Sequence, residues 1–503
     1  MSRVATNIAA NFSGKLVLAA LNIAMPPFYV RILGIESYGL VGFFATLQAL
    51  LAVLDLGLGA AFGRNLAQLS SAPETNAQSM RDSARTYSFL FWGIGALLAL
   101  SVFGLAPLIS GRWLGGNSLG QGRITVAIQL MACVIALRWP AAIYASGLNS
   151  LQRQVSLNVL QVSAGVMRAL GALVILKAFS PTIEAFFAWQ IVTTGLEVVV
   201  NGFLLGRALP LSPRGPRFQK DILAAHWRFS AAVTGVAILS ALVYQVDKIV
   251  LSRMVPLRDF GYYTLASAIS NGLMYLVSPV YSAAYPRLCQ LSLGTEARSE
   301  LVQLYHKSCQ LVSCLVIPPA IALIAFSRTV VFVWTGDWVI ADRTHEILAL
   351  LTLGSAFNAL YYIPYALQLA AARLSIIFWT LVGASVVVPP TAFALVRAFG
   401  GVGGAASSAI LTLGVLVVMM PLMHRRLLPG ENRRWLLQDV GLPILGSLPG
   451  MGFGYFATFM SASRVGQGAR LTTAGLCSLL GAVMLSRDVR VPLLNRLRLL
   501  SRS

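Results

Sequence analysis

Apolar runs of about 20 residues recur down the whole chain, parted only by short, mostly basic loops. Lipid cannot satisfy backbone N–H and C=O groups, so each run has to cross as a helix that satisfies its own. Composition agrees: of 503 residues, 57% are hydrophobic and 11% charged, where soluble domains carry about a quarter charged residues. No connection is long enough to house a soluble active site. What remains is the work of a helix bundle inside a bilayer: moving, sensing or reacting with something there.

The runs predict an all-α polytopic membrane protein of about 14 transmembrane helices, at 8–30, 39–63, 86–110, 124–147, 155–177, 183–206, 229–251, 261–285, 308–333, 346–370, 374–396, 402–423, 437–460 and 470–486. The N-terminus lacks the charged region and cleavage site of a secretory signal, so the first helix is expected to stay. Basic residues set the orientation, because they concentrate on the cytoplasmic side. Arg207, Arg214, Arg217 and Lys220 fill one loop, Arg425, Arg426, Arg433 and Arg434 another, and Arg490, Arg496, Arg498 and Arg502 the tail. All three fall on one side, giving N-in and C-in. The same rule accounts for the formal charge of +21, so membrane lipid is an expected partner and nucleic acid is not. The tail around 491–500 would lie on the inner surface as an amphipathic helix, or fray.

Cys133, Cys289, Cys309, Cys314 and Cys477 are scattered, and His226, His306, His345 and His424 are isolated in sequence. Neither set has metal-ligand spacing or a disulfide framework, so no metal and no cofactor are expected.

Two segments match at a constant offset of 222 residues. Arg31-Ile-Leu-Gly-Ile-Glu-Ser-Tyr38-Gly39 pairs with Arg253-Met-Val-Pro-Leu-Arg-Asp-Phe260-Gly261, and Leu66-Ala-Gln68-Leu69-Ser70 with Leu288-Cys-Gln290-Leu291-Ser292. The offset spans six predicted helices, so both copies point the same way and the halves are parallel repeats. Residues 1–206 are expected to form an N-lobe of helices 1–6, and 207–228 a basic cytoplasmic linker with Pro210, Pro213 and Pro216. Residues 229–424 would form a C-lobe of helices 7–12, 425–486 two added helices, and 487–503 a basic tail. Alternating access explains such duplication better than a receptor or scaffold does.

The first helix carries Asn11-x-x-Gly14-Lys15, followed by Pro27-Phe-Tyr-Val-Arg31-Ile-Leu-Gly34-x-x-x-Tyr38-Gly39, Leu54-Asp55-Leu-Gly57-Leu and Arg64. The second half supplies Gln245-Val-Asp247-Lys248-Ile-Val-Leu and Phe260-Gly261-Tyr262-Tyr263. By these motifs, over roughly the first 300 residues, the chain resembles the polysaccharide transporter family. These are the Wzx-type oligosaccharide flippases of the multidrug/oligosaccharidyl-lipid/polysaccharide flippase superfamily. The resemblance implies a multi-pass transporter of the bacterial inner membrane, not an enzyme. Its cargo would be a polyprenyl-diphosphate-linked oligosaccharide, such as one on undecaprenyl diphosphate, exported for surface polysaccharide. A polysaccharide polymerase and chain-length machinery would be partners.

Seven ionisable residues fall inside the predicted helices: Lys15, Asp55, Arg138, Arg168, Glu197, Asp247 and Lys248. Each is costly at mid-bilayer unless it faces a partner, water or the bundle interior. Polar or small stripes accompany them: Asn7, Asn11, Lys15 and Asn22; Gln161, Gly165, Arg168 and Ala172; Gln190, Thr194, Glu197 and Asn201. Others run through Ser230, Thr234 and Ala237, and through Ser267, Asn271, Ser278 and Ser282. Lys15 and Asp55 lie at matching depth and could form an ion pair. Lys248 either lines a cavity or snorkels to the interface. Arg138 and Arg168 are too deep to snorkel; a guanidinium there suits phosphate oxygens or pairs with Glu197. Asp55, Glu197 and Asp247 are candidates for ion pairing or for a coupling cation. On helix 10, Asn358, Tyr361, Tyr362, Tyr365 and Gln368 offer the aromatic faces and amides that hold sugars, or part of an interfacial belt.

These residues point to a flippase whose diphosphate and glycan enter between lobes. Lys15, Arg138, Arg168 and Lys248 would contact the head group, and Pro26-Pro27, Pro318-Pro319 and Pro389-Pro390 would let helices flex. A multidrug or other small-molecule exporter of the same superfamily would select cations with carboxylates instead. A membrane glycan polymerase or ligase would need an acid/base constellation and a sizeable outer loop.

Overall fold

The computed structural model describes residues 3–55, 57–114, 118–212, 214–292, 298–372, 374–458 and 463–491, and of these 3–13, 222–236, 374, 453 and 456–458 by backbone alone. Every regular element among them is helical. The expected stripe residues Asn7, Asn11, Ser230 and Thr234, and the tail from 492 onward, therefore lie outside the described side chains or residues. The chain divides into two compact units, Met1–Gly261 and Tyr262–Ser503.

The first unit contains α1 (Arg3–Ala24), α2 (Pro26–Leu33), α3 (Ile35–Leu51), α4 (Leu58–Leu69), α5 (Ala77–Leu108), α6 (Gln121–Ser150), α7 (Gln154–Ala178), α8 (Ile183–Ala208), α9 (Lys220–Met254) and the start of α10 (Leu257–Ser270). Its hub is α6, which packs on α5, α8 and α4. Ala127, Ile128, Met131, Val134 and Ile135 recur there at helical spacing and are buried. The outer faces are apolar and exposed, as at Leu97 and Leu100 of α5 and Val192, Val199 and Phe203 of α8. That inverted pattern is what a lipid solvent allows.

Part of the expected linker is fixed in place. Buried Asp82 on α5 accepts the Arg217 N–H at 2.7 Å and the Gln219 amide at 2.7 Å.

The second unit continues with α11 (Gly272–Ser292), α12 (Arg298–Ala325), α13 (Ser327–Thr335), α14 (Trp338–Ala370), α15 (Leu374–Leu427), α16 (Asn432–Arg434), α17 (Leu442–Thr458) and α18 (Arg464–Leu485). Here α12 is the hub, against α11, α14, α17 and α18.

Ten helices among the described residues are long and apolar enough to cross a membrane. One of them, α15, bends at Gly400 (φ 56°, ψ −129°) and so holds two expected spans. The other expected spans fall on α9, on α10 with α11, and on α17. Four spans differ from the continuous helices expected: 8–30 breaks at Met25 between α1 and α2, 39–63 between α3 and α4, 261–285 at Asn271 between α10 and α11, and 308–333 at Phe326 between α12 and α13.

The repeat offset reappears in the backbone: α3 starts at Ile35 and α10 at Leu257. A Cβ at Gly39 would overlap the Leu257 carbonyl oxygen, and a Cβ at Gly261 would overlap that of Ile35. Each copy's glycine thus seats the start of the other's helix. Gly39→Val is expected to destabilise the protein by about 1–3 kcal/mol, read as a lower thermal midpoint. An unchanged midpoint would mean that these helix starts separate freely.

Candidate functional site

The break in the second span has a local cause. After α3 the chain tightens over Ala52–Asp55, Gly57 adopts a left-handed conformation (φ 69°), and α4 restarts at Leu58. Asp55 Oδ1 accepts the Gly59 N–H at 3.2 Å, satisfying a donor that the restart would leave open. Interrupted spans at corresponding positions of two repeats are where membrane transporters place their sites. Asp55 accordingly lies in the wall of a cavity of about 450 Å³ inside the first unit. Gln48 of α3, Arg138 of α6, Gln161 and Arg168 of α7 and Glu197 of α8 join it there.

Arg168 Nη2 donates to Glu197 Oε2, with side chains 24% and 18% exposed. Arg138 is within electrostatic reach of both, yet it has no hydrogen-bond or ion-pair partner among the described residues. The Nε atoms of Arg138 and Arg168 and the amide nitrogen of Gln48 are buried without an acceptor. The wall therefore offers more N–H than the protein uses. A chemically matched occupant is rich in acceptor oxygens and carries negative charge.

The family described as "Polysaccharide biosynthesis protein" matches residues 4–292, more than half of the chain. The chain belongs to this family. It is 23% identical over 415 residues to the succinoglycan biosynthesis transport protein ExoT of Rhizobium meliloti (strain 1021), covering 81% of this chain and 74% of ExoT. In fold, this member of the family is similar to the lipid II flippase MurJ in an inward closed conformation. The TM-score is 0.70 at 16% identity, over 96% of this chain and 99% of that one. An inward-facing multidrug resistance MATE transporter follows, with a TM-score of 0.63 at 13% identity over 81% of this chain and 94% of its own. A polytopic all-α fold shared with MurJ and MATE transporters is thus established for this polysaccharide-family member.

Of the candidates read from sequence, the cavity brings together Asp55, Arg138, Arg168 and Glu197, but not Lys15, Asp247 or Lys248. Lys15 is exposed and makes no ion pair with Asp55, whose carboxylate is turned back onto Gly59. Lys248 Nζ donates to Gln245 Oε1 at 3.1 Å, and Asp247 is buried. The helix-10 candidates lie in the second unit. Asn358 Nδ2 approaches Met274 Sδ at 3.8 Å, and Tyr361 accepts from Gln368 at 3.0 Å. Tyr362 meets Tyr281 edge-on at 5.1 Å, and Tyr281 stacks on Tyr285 at 5.4 Å. Gln48 is a cavity residue not among the sequence candidates. It lies seven residues before Asp55, two helical turns along one face, and that spacing was its available signal.

Proposed function

We propose that this protein flips a polyprenyl-diphosphate-linked oligosaccharide from the inner to the outer leaflet of a bacterial inner membrane, for surface polysaccharide export. The observation that carries the reading is Arg138, a guanidinium without a hydrogen-bond or ion-pair partner among the described residues, in the wall of an intramembrane cavity. Diphosphate oxygens supply the acceptors this wall lacks, while the polyprenyl tail stays in lipid. The names of the succinoglycan biosynthesis transport protein ExoT and the lipid II flippase MurJ support this reading. Lobes 1–206 and 229–424 would rock to expose the head group to either side, and a polymerase with its chain-length machinery would take the product. Export of a diphosphate from an inside-negative cell gains about 2.3 kcal/mol per charge per 100 mV, so potential alone can drive it. A coupling cation at Asp55, Glu197 or Asp247 is the competing energy source. The cation-exporter reading is weaker because one of the cavity's two carboxylates, Glu197, is already neutralised by Arg168.

The test is the lipid-linked glycan profile of depleted cells, with leaflet location read by accessibility to an added glycosidase. Complete repeat units trapped on the inner leaflet are the expected result. Units accumulating on the outer leaflet would point to polymerisation or ligation, and an unchanged profile to another cargo.

A further inference from the structure

The densest group of titratable side chains outside the cavity lies in the second unit, where distant stretches of sequence meet. His306 of α12 is fully buried, as is Asp439 in the π-helical turn Trp435–Gly441. His306 Nδ1 stands 2.5 Å from Asp439 Oδ2, and Nε2 stands 3.0 Å from Glu431 Oε2. Asp439 Oδ1 accepts from Gln310 at 3.2 Å, and Gln310 Oε1 accepts the Asp488 N–H at 3.1 Å. Arg434 approaches Glu431 at 3.9 Å and Asp488 at 3.8 Å. On the other flank are Tyr305 and Cys309 of α12 and His424 at the end of α15, all buried.

The two histidines differ in what they require. His424 Nδ1 faces the Met420 carbonyl at 2.9 Å, and Nε2 meets the Tyr305 hydroxyl at 3.1 Å. One N–H and one lone pair satisfy both, as in a neutral imidazole. His306 has a carboxylate oxygen at each nitrogen. A neutral ring would set its lone pair against a carboxylate lone pair. Both lines carry hydrogen only when the set of His306, Asp439 and Glu431 holds one proton beyond a neutral imidazole and two carboxylates.

We propose that His306, Asp439 and Glu431 form a proton-binding site, and that the bound proton ties the turn between α15 and α17 to α12. Asp439 keeps the Nδ1 proton, since it is wholly buried and held by Gln310. Departure of the extra proton then releases Glu431, whose side chain is 27% exposed. The tie is made with the proton bound and is lost as pH rises. It stands independently of what the protein transports.

Hydrogen exchange of the full-length protein in detergent, corrected for intrinsic rates, tests this. Protection of 428–434 is expected to fall about tenfold as pH rises and the extra proton leaves. Glu431→Gln should abolish that response, because a glutamine amide can donate to the unprotonated Nε2 and hold the turn at every pH. His306→Gln should abolish it as well. Nitrogen NMR of the ring, assigned through His306→Gln, should show one of two protonated nitrogens titrating. A pH-independent turn in the wild type, an identical pH response in Glu431→Gln, or a His306 ring that does not titrate would each overturn the proposal.

Discussion

Arg138→Ala is expected to cut flipping about tenfold or more while leaving insertion and thermal midpoint unchanged. The two halves of that expectation have separate grounds. Arg138 makes no hydrogen bond or ion pair inside the described protein, so its removal orphans nothing. Its loss does remove a fork of N–H donors from the cavity wall, where the proposed diphosphate would supply the acceptor oxygens. Arg138→Lys should recover part of the flux, because it keeps the charge but loses the planar two-pronged contact. Arg168 needs a different design. Arg168→Ala alone leaves Glu197 as a poorly solvated carboxylate without its partner, and breaking such pairs is costly in its own right. Arg168→Ala/Glu197→Ala removes both charges together and is the variant to compare. The readout is inner-leaflet lipid-linked glycan per inserted protein. If Arg138→Ala and the double variant both sustain wild-type flux, the head group is not held in this cavity.

The spans were legible in sequence because hydrophobic length is a local property. Even the two crossings joined at Gly400 appear as separate runs, 374–396 and 402–423. The offset of 222 residues was legible too, since Ile35 and Leu257 each open a helix. The breaks were not. Leu54-Asp55-Leu-Gly57 is apolar enough to read as uninterrupted helix, and only the left-handed Gly57 and the Asp55 contact with Gly59 show that the chain restarts. Depth arithmetic brought Lys15 and Asp55 together on paper, but depth says nothing of azimuth around a helix. The pairing of Arg168 with Glu197 was among the open alternatives, 29 residues apart on successive helices. His306 and Asp439 are 133 residues apart, in stretches whose histidines look isolated. No periodicity connects them; only the packing of the Trp435–Gly441 turn on α12 does.

Gly450→Leu is expected to destabilise the second unit by about 3 kcal/mol or more. Apolar helices gain little from hiding Leu from lipid, which is just as apolar, so their association rests on close packing of small residues. Gly446, Gly450 and Gly454 recur every four residues on α17 and form one face. A Cβ at Gly446 would overlap the backbone of Gly481, one at Gly450 that of Ser478, and one at Gly454 would crowd Ala474, all on α18. A leucine at 450 has no rotamer that avoids Ser478 unless the helices part. Gly452 is the internal control, because a Cβ there meets nothing within 4 Å. Gly452→Leu should leave the thermal midpoint close to wild type; equal losses from both substitutions would refute the close-packed seam. The same seam bears on the proton site. Trp435–Gly441 runs directly into α17, so parting α17 from α18 should also draw Asp439 off His306. Gly450→Leu should therefore flatten the pH response of 428–434, and Gly452→Leu should preserve it.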